Sequence, residues 1–195
     1  MREPRPPCDP PGTPVGFDRI AVAGASGSGK TTLARRLADR RGVPYIDMDG
    51  LYYGPGWRPR AAFTASALRR LGAGAWVTEW QYDEVAPALV ARAQLVIWLD
   101  YPARLSITSV VCRTLLRRIH QEALWAGNVE PSPWSFLWRR DHVFRYAWRG
   151  VRNTRRSLAA HLPDGAPGPV LWRFTRPREL SRWLAAPDGE VSRAV

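Results

Sequence analysis

Apolar positions in this chain alternate between two textures. Ile20 to Ala23 and Leu95 to Leu99 are short runs without a polar break, which is the pattern of strands buried on both faces. Between such runs the apolar residues recur at helical spacing. In 31–41, Leu33, Leu37 and the alanines form one face, and Gly42 occupies the stop position. The pattern predicts strands at 18–23, 43–47, 75–79, 94–99 and 170–174. It predicts helices at 31–41, 63–71, 84–93 (with Pro87 in the first turn), 102 to about 120, about 134–162, and 177–184. The segment 50–60, rich in Gly, Pro and aromatics, reads as a loop. Strands alternating with helices predict an α/β fold with a parallel sheet covered on both faces.

At 195 residues the chain is long enough for one domain with a sizeable core, expected over 17–185. Residues 1–16 carry several prolines and mixed charges without an apolar h-region. They are expected to form a disordered leader, and 186–195 a frayed tail. No uncharged apolar run approaches the roughly 18 residues of a membrane span. The two cysteines, Cys8 and Cys112, give neither a metal spacing nor a disulfide framework, so a reducing cytoplasm is the simplest compartment. The formal charge is +12, and of the 29 basic residues only Lys30 is a lysine. The basic excess implies anionic partners, either phosphorylated small molecules or nucleic acid.

The solitary lysine closes a motif. Gly24-Ala25-Ser26-Gly27-Ser28-Gly29-Lys30-Thr31 matches G-x-x-x-x-G-K-[ST], the Walker A phosphate cradle, which with Thr32 runs from the first strand into the first helix. Glycines allow a tight turn whose N–H groups point inward at phosphates, and the helix adds its positive N-terminal dipole. Lys30 would reach the β- and γ-phosphates of ATP, and the Thr31 hydroxyl would ligate Mg²⁺.

Ligands of open parallel sheets bind beyond the carboxyl ends of the strands. The Asp47/Asp49 pair, Glu79 and Asp100 stand at such ends. Phosphoryl transfer needs a carboxylate for Mg²⁺ and a group to orient or deprotonate the acceptor hydroxyl. Each acid could equally cap a following helix. Asp100, ahead of Tyr101-Pro102, reads as a cap, whereas Asp49 and Glu79 read as functional.

These motifs carry a resemblance. Gly24 to Thr32, Asp47-Met48-Asp49-Gly50-Leu51-Tyr52-Tyr53-Gly54-Pro55-Gly56-Trp57, Val96-Ile97-Trp98-Leu99-Asp100-Tyr101-Pro102 and Leu124-Trp125-Ala126-Gly127-Asn128-Val129-Glu130 resemble the adenylate-kinase-like P-loop NTPases labelled topology modulation protein, or FlaR-like. The resemblance covers roughly 19–184. It implies a nucleotide-kinase-like three-layer α/β/α fold with a five-stranded parallel sheet, the P-loop strand central and a helical lid insertion at about 113–140. It also implies that Asp49 faces the acceptor and that Glu79 plays the Walker B part. Where relatives typically read Asp-Gly-Asn-Tyr, this chain has Glu79-Trp80-Gln81-Tyr82, with a large ring in place of glycine. An acceptor pocket altered or partly filled by Trp80 follows as an expectation.

Arg113 and Arg117, four apart, share a helix face with Arg118 nearby, and Arg139 and Arg140 follow. In kinases of the resembled kind, lid arginines clamp the transferring phosphoryl group. Tyr52, Tyr53 and Trp57 could stack on a planar acceptor or pack the core. The expected function is a Mg²⁺- and ATP-dependent kinase of a nucleoside, nucleotide or other hydroxyl compound, with Lys30, Asp49, Glu79, Arg113 and Arg117 catalytic. Two alternatives stand beside it. One is a nucleotide-gated regulator binding DNA through the basic run 145–156; the other is a nucleotide binder whose acceptor site Trp80 has closed.

Overall fold

The computed structural model describes residues 16–105, 140–163 and 167–185. Strand β1 (Arg19–Gly24) is buried from Ile20 onward and pairs with a parallel strand on each side, β3 (Trp76–Glu79) and β4 (Leu95–Leu99). β2 (Tyr45–Ile46) and β5 (Val170–Phe174) complete a five-stranded parallel sheet in the order β2-β3-β1-β4-β5. The helices are α1 (Lys30–Arg41), α2 (Met48–Tyr52), α3 (Phe63–Leu71), α4 (Ala86–Arg92), α5 (Arg140–His161) and α6 (Pro177–Ala185).

Strand pleating sorts the unbroken apolar runs into two cores. Ala21, Ala23, Trp76 and Val96 face Phe63, Leu71, Leu89 and Leu158, brought by α3, α4 and α5. Ile20, Val22, Ile97 and Leu99 face Leu33 and Leu37 of α1 and Trp183 of α6. Both faces are therefore covered, as parallel strands require. Fully burying one such leucine contributes about 1.5–3 kcal/mol. The Trp76 indole, fully buried, gives its N–H to the Leu71 carbonyl at 3.0 Å, so no polar atom is stranded there.

Register brings the chemistry to one edge. Val22 lies opposite Glu79 and Gly24 opposite Leu99, so the P-loop, the end of β3 and Asp100 leave the sheet together. The predicted loop at 50–60 instead contains the end of α2 and a 3₁₀ turn at Pro55–Trp57. Asp47 accepts the Gly50 N–H at 3.0 Å and starts the first, and Pro55 starts the second. The lid expected at 113–140 falls outside the described residues except for Arg140. The leader up to residue 15 and the tail at 186–195 fall outside them altogether.

Candidate active site

At the end of β1 the backbone makes a turn that only glycine suits at three points. Gly27 and Gly29 have φ of 82° and 88°, in the left-handed region, and a Cβ on Gly24 would collide with the Ser28 hydroxyl. Gly29 caps α1, and no side chain makes a capping hydrogen bond there, which leaves the first N–H groups of that helix without a side-chain acceptor. The Ser28 Oγ is buried without a hydrogen-bond partner.

Lys30, the first residue of α1, puts its Nζ 3.5 Å from Glu79 Oε2, and the two side chains are 12% and 4% exposed. The other Glu79 oxygen receives the Tyr45 hydroxyl at 2.5 Å. Burial pushes the Tyr45 phenol upward, and the Glu79 charge adds to the effect, so this donor keeps its proton. Oε2 receives no hydrogen bond. Among the described residues no three His, Cys, Asp or Glu side chains cluster to hold a metal. An ion at this place would need the Thr31 hydroxyl, Glu79, water and ligand phosphates, a set that suits Mg²⁺.

Asp49, in the first turn of α2, accepts the Tyr82 hydroxyl on Oδ1 at 2.6 Å. Burial raises its pKa above the usual carboxylate value. Glu79 and Asp47 add to the rise, while the Tyr82 bond and Lys30 oppose it. Tyr82 adopts φ 61°, a left-handed backbone that a bulky residue rarely takes. Its ring stacks on Tyr52 at 4.2 Å, and Phe63 meets both edge-on. Tyr52, Tyr53 and Trp57 make successive edge contacts, with Tyr52 lying against the core. Asp47, besides capping α2, lies 3.7 Å from Arg35.

Trp80 turns toward α5. It is 5% exposed, belongs to the core with Leu158, and gives its indole N–H to Ser157 Oγ at 3.1 Å. Ser157 in turn donates to Asp83 at 2.6 Å. The large ring thus serves packing between the sheet and α5.

Asp100 corrects the cap expectation. Its carboxylate is 2% exposed and receives Arg155 at 2.9 and 3.1 Å and Arg173 at 3.0 and 2.6 Å. Two long-range guanidinium forks outcompete the local cap. The Arg173 guanidinium also lies over the Trp98 ring at 4.7 Å. Farther along α5, a Cβ on Gly150 would stand 3.7 Å from the Ala25 Cβ and 3.9 Å from the Ser26 nitrogen, so this helix rests on the phosphate loop.

Arg113, Arg117, Arg118 and Arg139 fall outside the described residues. In the basic run 145–156, Arg149, Arg152 and Arg156 are exposed and Arg155 is bound to Asp100. Sequence reasoning missed the tyrosine donors Tyr45 and Tyr82, and the contact at Gly150. A glycine inside a helix costs about 1 kcal/mol relative to alanine, and that anomaly was the available signal for Gly150.

No protein-family model matches the chain. A cytidylate kinase of Maridesulfovibrio salexigens is 32% identical over 116 residues, 58% of this chain and 44% of that protein. A cytidylate kinase of Nitratidesulfovibrio vulgaris is 43% identical over 47 residues, 24% of this chain and 20% of that protein. The chain spans less than half the length of these curated relatives. Among solved structures, a shikimate kinase from Bacteroides thetaiotaomicron superposes with a TM-score of 0.50 at 14% identity, covering 87% of this chain and 95% of that one. In fold the chain is an α/β protein whose five-stranded parallel sheet and helices superpose on that shikimate kinase, and over 58% of its length its sequence is weakly similar to a cytidylate kinase.

Proposed function

We propose that this chain is a Mg²⁺- and ATP-dependent phosphotransferase that moves the γ-phosphoryl group of ATP to a hydroxyl of a small molecule. One observation carries the reading: Lys30 lies 3.5 Å from Glu79 where a glycine turn opens the start of α1 at the carboxyl edge of a parallel sheet, and the charges of both bear on Asp49. Gly24 to Thr32 would hold the triphosphate, with the unpartnered Ser28 hydroxyl among its donors. Thr31 and Glu79 would hold Mg²⁺, which when bound neutralises charge on the phosphates. Asp49 orients the acceptor hydroxyl and takes its proton as that oxygen bonds to the phosphorus, and the β–γ bridging oxygen leaves with ADP. A carboxylate raised by burial is a better base than one in water. Lys30 would stabilise charge on the transferring group, with Arg113 and Arg117 as lid partners.

The likeness to cytidylate kinases supports a phosphoryl-transfer role, and the narrower resemblance to topology modulation (FlaR-like) proteins rests on the motifs in the sequence. The test is ADP release with Mg²⁺, ATP and an acceptor panel, beside Lys30→Ala. That variant should lose about 10²–10³-fold in turnover, the scale of removing one preorganised charge donor. Undiminished turnover and ATP binding would refute the phosphate assignment. The nucleic-acid reading keeps exposed Arg149, Arg152 and Arg156. A steep salt slope of DNA binding, modulated by ATP, would favour it.

A further inference from the structure

Resting on the kinase reading, we infer that the acceptor half of the site takes an unphosphorylated, donor-rich polyhydroxyl or amino-polyol compound, received by Asp49 and by the side-chain carbonyl of Gln81. The side chains of 79–82 diverge as the segment leaves the sheet. Trp80 turns to α5 through Ser157, and Tyr82, held in a left-handed backbone, turns to Asp49. Gln81 stands between them with its Oε1 buried and without a donor. A buried acceptor left unmatched is rare in folded proteins, and in an enzyme it marks where a ligand group belongs.

The neighbouring groups share this character. A carboxylate accepts and does not donate, and both Asp49 and Glu79 already draw a tyrosine hydroxyl to one oxygen. The acceptors that remain for a ligand are Asp49 Oδ2 and the buried Gln81 Oε1. A hydroxyl or ammonium group answers it, whereas a phosphate or carboxylate would bring like charge beside Asp49.

Among the described residues the basic side chains near Asp49 do not offset that, although the chain as a whole carries +12. Arg35 is paired with Asp47 and lies over the Tyr45 ring. Arg58 and Arg60 are exposed, and Arg60 gives its Nε to the Tyr53 carbonyl. Lys30, whose charge favours the ionised form of Asp49, belongs to the phosphate loop. The described residues of a basic protein thus present hydrogen-bond acceptors at the place where an acceptor molecule would sit.

The experiment measures ADP release by the full chain with Mg²⁺ and ATP against paired probes: cytidine and adenosine beside their 5′-monophosphates, and sorbitol and glucosamine beside gluconate. Wild type, Gln81→Leu, Gln81→Glu and Lys30→Ala are compared, with binding of a fluorescent ATP analogue followed in each. Stimulation by the uncharged or amino probes is expected. Gln81→Leu should raise their KM at least about tenfold and leave nucleotide binding within twofold, as expected when a hydrogen-bonding group to a substrate hydroxyl is removed. Gln81→Glu, which still accepts, should keep activity on these probes and favour glucosamine. Stimulation confined to phosphorylated or carboxylated probes would overturn the inference, as would a KM in Gln81→Leu within twofold of wild type. If no probe of either kind stimulates while Lys30→Ala loses ATP binding, the inference fails and the phosphate site stands. If Lys30→Ala binds ATP as wild type does, the kinase reading falls with it.

Discussion

Replacing Asp100 by alanine removes the carboxylate that ties α5 and β5 to the end of β4. Four N–H groups from Arg155 and Arg173 converge on it at 2.6–3.1 Å, and its own side chain is 2% exposed. Removing one partner of a buried ion pair costs about 3–5 kcal/mol, because the other charge is left without compensation. The two arginines differ in how much they would suffer. Arg173, 21% exposed and lying over Trp98, stays largely desolvated, whereas Arg155, 52% exposed, can turn to water. The full range is therefore discounted to about 3 kcal/mol for Asp100→Ala. Arg155→Ala should cost only about 1 kcal/mol, since Asp100 keeps its second partner and a half-exposed pair is worth little. At this chain length about 3 kcal/mol corresponds to a Tm lower by about 6–12 °C. Urea unfolding followed by tryptophan fluorescence and circular dichroism, with unchanged m-values, would measure both variants. If Arg155→Ala costs as much as Asp100→Ala, or if Asp100→Ala costs under about 1 kcal/mol, the carboxylate does not anchor α5 and β5.

Asp49→Asn should lose acceptor-dependent turnover yet gain stability at pH 7. Burial raises the folded pKa of Asp49 above 3.8, so the folded state binds the proton more tightly and ionisation penalises folding as pH rises. The gain in melting temperature should be present at pH 7 and vanish near pH 3. Tyr82→Phe removes the hydrogen bond that opposes the rise, so the acid limb of the pH–rate profile should move to higher pH; an unmoved limb would separate Tyr82 from Asp49. Gly150→Ala should add up to about 1 kcal/mol of helix stability, because its Cβ would find ordinary contacts with Ala25 and Ser26. Gly150→Leu should instead press on the phosphate loop and weaken ATP binding with helix content unchanged; undisturbed binding would show that α5 does not govern the loop.

The sheet was legible because buried parallel strands announce themselves. Leu95 to Leu99 has no polar break, and no helix of a half-exposed kind could bury it. The phosphate turn was legible because its glycines and Lys30 sit at chemically required spacings. The glycines and prolines after Asp49 argue against helix, yet a cap at Asp47 and Pro55 suffice for two short turns. The role of Asp100 is hidden from the sequence for a different reason. Its partners lie 55 and 73 residues along the chain, and local pattern carries no information about them. Tyr45 escaped notice likewise: that β2 lies beside β3, which brings its hydroxyl to Glu79, is a property of strand order.

The Lys30 ammonium, nearly buried against Glu79, is the only ε-amine in 195 residues. Every other side-chain cation is a guanidinium, which ordinary amine-directed reagents leave alone. Apart from the α-amino group, acylation or reductive methylation therefore has one target, and that target sits in the phosphate cradle. Isotope-labelled methyl groups placed there would give a single side-chain resonance reporting on the Glu79 pairing. In most proteins such a reporter must be isolated by mutating dozens of competitors; the composition of this chain has already removed them.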